Sequence, residues 1–338
     1  MEKPEQVPKW ENLSRDILGI IFGKLEMMDV TMGASRVCTS WFLAAQNGTL
    51  WNTVNLVVSH EHSFFYNPRV NNTKELVVGI RMSERHYTIN ITCMYLLPYA
   101  PHYRQIKQGQ NNLGNLLIEI TKLSCTAPRN LFFNFYSYIQ DKELVLAAER
   151  MPNVEKLVLP MWSSLSENSF RFAFSQWKNL RTLVIVKNPL NTGTLELQAV
   201  GENCTNLTNL KFVGLLDEHL ADQIVLHLQV LKRLSLRCSF LYEQGLSRLV
   251  NGLKNLEILN LSHSLVVSLF PHLHFRMVNK IEDTLSMVSQ KIHKLITCPR
   301  FFDCGICADW LHSAWSCWKI CKYFELFWQK DEIEEFNF

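Results

Sequence analysis

The sequence lacks a dominant charge: 34 basic and 31 acidic residues leave a net +3 over 338 positions. Such a balance supplies no electrostatic footprint for nucleic acid or for an anionic membrane surface, so neither is expected as a partner. A long apolar run is also missing. The most apolar late stretch, Ile306 to Trp328, is interrupted by Asp309, Lys319, Lys322 and Glu325 and falls short of a membrane span. Where a secretory leader would place basic and then apolar residues, Met1 to Trp10 carries Glu2, Lys3, Pro4, Glu5 and Pro8, so the chain is expected to stay inside the cell, in nucleus and cytoplasm. In those compartments the ten cysteines are expected to be reduced and mostly to act as small core residues. The acceptor patterns at Asn47, Asn90 and Asn203 are then expected to stay unmodified. There is no Gly-rich phosphate loop, no GxSxG elbow and no HExxH helix, so neither catalysis nor a cofactor is expected.

What the sequence has is apolar content, 47% of its residues, and that content is patterned. Ile17, Leu18, Ile21, Phe22 and Leu25 form one stripe of an amphipathic helix, with Ser14 placed to cap it and Asp16 at the positive end of its dipole. After a turn around Asp29 to Gly33, a second stripe of Ala34, Val37, Cys38, Trp41 and Ala45 stops at Asn47-Gly48. Leu50 and Trp51 begin a third short element. Three short helices over roughly 45 residues cannot enclose so many large side chains by themselves, so an outside surface is expected to cover them.

These residues carry a resemblance. Trp10, Leu13, Asp16-Ile17-Leu18, Ile21-Phe22, Leu25, Asp29-Val30, Ser35, Val37-Cys38, Trp41, Ala44 and Leu50-Trp51 stand in the order and spacing of an F-box. The resemblance implies a three-helix unit that docks on a Skp-type adaptor, and through it on a cullin and a RING protein. The docking residues it implies are Trp10, Leu13, Ile17, Leu18, Ile21, Phe22, Leu25, Val37, Cys38, Trp41, Leu50 and Trp51. Where the family usually has Pro after the first Leu, this chain has Ser14.

From Asn153 a unit recurs: NVEKLVL, NLRTLVI, NLTNLKF, VLKRLSL and NLEILNL follow at offsets of 26, 27, 24 and 25 residues. Each places an apolar residue, a second three positions on and a third five positions on, as in Val154, Leu157 and Leu159. That is the signature of a leucine-rich repeat, whose single strand and helix bury their apolar sides only by stacking on neighbours. Leu131, Phe133 and Phe135 read as an earlier strand, and Leu116, Ile118 and Ile120 as a first one. The position that usually carries the polar ladder is Trp162, Asn188, Leu215, Ser239 and Ser264, so the ladder is expected in only some repeats. Over most of the chain the sequence resembles plant F-box/leucine-rich-repeat proteins. The expectation is an α/β protein: a three-helix F-box (8–56), a less regular connector (57–112), a curved leucine-rich-repeat solenoid (113–268) and a helical, Cys-containing tail (269–338).

In the tail, Ile281, Leu285, Val288, Ile292 and Leu295 read as an amphipathic helix capping the stack. Beyond it, Cys304, Cys307, Cys317 and Cys321 have spacings permissive for zinc, although a packed, reduced tail explains them as well; His60, His62, His86 and His102 lack ligand spacing. The resemblance implies a substrate-recognition subunit of a ubiquitin ligase. Lys156, Lys211, Arg233 and Arg237 read as solvent-facing strand positions and are candidate contacts for the target, although ordinary solvated charges explain them as well. The alternative is a repeat scaffold that assembles no ligase. The sequence does not identify the target.

Overall fold

The computed structural model describes residues 10–56, 78–82, 85–89, 101–133, 139–161, 165–187, 197–268, 274–277, 288 and 290–298. Near the N-terminus three short helices follow one another: α1 (Arg15–Phe22), α2 (Met27–Met32) and α3 (Thr39–Ala45). Next come β1 (Thr53–Asn55), the antiparallel pair β2 (Val78–Met82) and β3 (Arg85–Ile89), and a long helix, α4 (Pro101–Ser124). Strand and helix then alternate: β4 (Asn130–Phe132), α5 (Asp141–Arg150), β5 (Lys156–Met161), α6 (Glu167–Gln176), β6 (Thr182–Lys187), α7 (Leu197–Asn203) and β7 (Asn209–Val213). Beyond these lie β8 (Leu215–Leu216), α8 (Glu218–His227), β9 (Arg233–Ser235), β10 (Phe240–Tyr242) and α9 (Glu243–Gly252). The described chain closes with β11 (Ile258–Asn260), β12 (Leu265–Ser268), β13 (His274–Met277) and β14 (Lys294–Ile296).

Eight strands form one parallel sheet in the order β1, β4, β5, β6, β7, β9, β11, β14. The repeat's spacing accounts for its register. The middle apolar residue of each unit pairs with its counterpart, in a column running Val54, Leu131, Leu157, Leu183, Leu210, Leu234, Leu259, Leu295. All but Leu295 are buried, in a continuous core that extends from Leu18 to Ile292. At about 2 kcal/mol for each fully buried aliphatic side chain, the column is a large cooperative contribution that no isolated strand would have.

Two turns carry the polar ladder. Ser239 Oγ donates to the Phe212 carbonyl at 2.9 Å, and Ser264 Oγ donates to the Leu236 carbonyl at 2.6 Å, each tying one repeat to the one before. Ser264→Ala removes this buried hydrogen bond while the Leu236 carbonyl keeps the Ser239 amide, and it is expected to cost about 0.5–1.5 kcal/mol, read as a lower urea midpoint at unchanged slope. Trp162 and Asn188 lie outside the described residues, and Leu215 instead opens β8 of a second, four-stranded sheet.

Three expectations are corrected. Leu116, Ile118 and Ile120 are not a strand but part of α4, where Leu117, Ile120 and Leu123 face the core at helical spacing. A five-residue alternation also contains the i, i+4 pair of a helix, and the helical face won. α4 also crosses the expected boundary between 112 and 113. The first strand of the sheet is β1, where Trp51, Val54 and Leu56 repeat the three-and-five spacing of the later units and are all buried. Finally, Leu295 belongs to β14, which adds a strand to the sheet beyond residue 268. Ile281, Leu285, Phe135 and the zinc candidates Cys304, Cys307, Cys317 and Cys321 lie outside the described residues. Among the described residues no three metal-ligating side chains come together, and no helix is long and apolar enough to cross a membrane.

Burial pushes the Cys204 thiol up to about 12 and the Cys238 thiol up to about 11, from an ordinary 9.0. The unfolded chain therefore loses these protons before the native one does. Their contribution to stability is complete below pH 9 and is lost as pH rises from there through about 11 to 12. Stability measured by urea titration is expected to fall above pH 9, whereas Cys204→Ala should flatten part of that slope.

Candidate docking site

α1 begins where Ser14 accepts a hydrogen bond from the Ile17 amide, the cap expected from the sequence, and it ends at Gly23. Leu18 and Phe22, one turn apart, point inward, and the Phe22 ring meets Trp41 edge to face at 5.5 Å between centroids. The second expected stripe is not one helix. Ala34–Arg36 is a short 3-10 turn, the chain extends at Cys38, and α3 starts at Thr39, so Val37 swings away from the core. Trp51 closes the unit from below, donating its indole N–H to the Ala45 carbonyl at 2.7 Å. Val30 and Ala34 pack into the same core as Leu117 and Ile120 of α4. Across that seam Arg36 binds Glu119 at 3.3 Å, while Lys122 on the same helix binds it at 2.6 Å, and the Lys122 hydrogen bond leads the effects that hold the Glu119 carboxyl below its ordinary range. The helices are thus fixed against the repeats on one side.

The other side is apolar and open. Of the thirteen large apolar side chains exposed among the described residues, nine lie between Trp10 and Leu43. A surface scattered at random would not concentrate them so; contiguous exposed apolar area of this kind marks an interaction site. Among the residues expected to dock, Trp10, Ile17, Leu25 and Val37 are exposed, and Val37 keeps 62% of its surface. Leu13, Ile21, Cys38, Trp41 and Leu50 are half-buried. Leu18, Phe22 and Trp51 correct the expectation: they are core residues, with at most 2% exposure, and they support the surface without being able to touch a partner.

Ile20, Met28, Met32, Phe42 and Leu43 are exposed and were not expected from the stripe. A signal was present. In the α1 segment RDILGIIF the apolar residues Ile17, Leu18, Ile20, Ile21 and Phe22 span a wider arc than the face that Leu18 and Phe22 bury, which leaves part of that arc uncovered. The stripe of Ile17, Leu18, Ile21, Phe22 and Leu25 passes over Ile20, which at 66% is the most exposed of the patch.

On the sheet's outer face the expectation of solvent-facing cations fails for two residues. Lys211 is 1% exposed and Arg237 is buried beside it. The row of Lys211 contains Val184 and Ser235, both buried, and Phe132, Val158, Val184, Val186 and Val213 form a second apolar cluster. A parallel sheet covered on both faces does not keep the inside-outside alternation on which that expectation rested. Lys156, with its ammonium 5.5 Å from the Phe132 ring centre, and Arg233 are half-buried.

The helical unit with its open apolar side and the stacked strand-helix units define the class: the chain is a plant F-box/LRR-repeat protein. It is 44% identical over 340 aligned positions to the Arabidopsis thaliana protein At4g11580, which bears an F-box name, covering 98% of this chain and 97% of that one. It is also 27% identical over 333 positions to the F-box/LRR-repeat protein At3g48880 of the same organism, covering 97% and 96%. No family model matches the chain.

Proposed function

We propose that this protein is the substrate-recognition subunit of an SCF-type ubiquitin ligase, in which α1, α2 and α3 form a three-helix F-box and the stacked units form a leucine-rich-repeat solenoid. The F-box docks on a Skp adaptor, which brings a cullin and a RING protein, and the repeats hold the target. The protein makes no covalent bond itself. Its contribution is effective concentration: it keeps target lysines beside a charged conjugating enzyme. One observation carries this reading, the concentration of exposed apolar side chains on Trp10 to Leu43 over a core that fixes them rigidly to the repeats. That arrangement suits a bridge with fixed geometry between two partners, and the names of both relatives support it.

The test is purification of the tagged full-length chain from plant cells with the proteasome inhibited. Skp adaptor, cullin and RING protein should co-purify in comparable amounts. Recovery of the chain with none of the three would favour a repeat scaffold without ligase assembly.

A further inference from the structure

We draw no further inference here: the strongest candidate, the Cys298 thiol 3.0 Å from the His263 imidazole just beyond the ends of β14 and β11, is a single cysteine-histidine pair whose residues both already have other partners and which no third metal ligand joins among the described residues.

Discussion

Ile20→Asp is expected to weaken binding to the Skp adaptor by about 100-fold or more while leaving the chain's own stability within about 0.5 kcal/mol. The two halves of that result have different causes. In the free protein Ile20 keeps 66% of its surface, so a carboxylate there stays in water and costs the fold nothing. In the complex the same position loses the burial of an isoleucine, about 1.5–3 kcal/mol, and also strips water from a charge. Together these pass the roughly 2.8 kcal/mol that corresponds to 100-fold. Leu18→Asp, two residues away, is a different experiment. Leu18 is buried in the core, and its replacement would abolish binding by unfolding α1, whatever the chain binds. Adaptor titration by calorimetry and a urea melt on Ile20→Asp separate the two effects. Unchanged affinity would remove Ile20 from the interface.

The second large effect is on the fold. A Cβ placed on Gly201 would lie 2.2 Å from the His227 carbonyl oxygen and 3.0 Å from its carbon, so α7 and α8 touch through bare backbone. Backbone cannot rotate away. Gly201→Ala is expected to destabilise by about 3 kcal/mol, at the top of the range for overpacking, and to lower the melting temperature by several degrees. Gly252→Ala makes the informative comparison. Its Cβ would meet only the Val225 side chain, at 2.4 and 2.6 Å, and a side chain has other rotamers, so about half the cost is expected. Equal effects would show that α7 and α8 can separate at little cost.

The legibility of this fold in its sequence followed the length over which each pattern is repeated. Five copies of one spacing gave the strands β5, β6, β7, β9 and β11 and their register. β1 obeys the same rule through Trp51, Val54 and Leu56, and β14 keeps only Ile292 and Leu295 of it, with Thr297 in third place; each stands as a single copy beside irregular neighbours, so spacing alone did not distinguish them. α4 misread as a strand because three apolar residues at alternate positions satisfy both periods over so short a window. At the docking site the order of residues identified α1 and its Ser14 cap, but α2 (Met27–Met32) occupies most of the stretch read as a turn around Asp29 to Gly33, and which side chains face outward was not legible. That depends on how α1 rolls against α3, and the roll put Leu18 and Phe22 inside and Ile17 and Ile20 outside. The outer face of the sheet failed for a related reason: Lys211 sits in a row with buried valine and serine neighbours, which strand parity does not reveal.

The central claim is that a partner covers the open apolar side of the N-terminal helices. Hydroxyl-radical footprinting of the full chain with and without the Skp adaptor tests it residue by residue. Labelling of Trp10, Ile20 and Phe42 should fall several-fold in the complex, while Phe172, equally apolar and exposed on α6, should not change. Labelling of those three side chains that stays the same in the presence of bound adaptor would contradict the account.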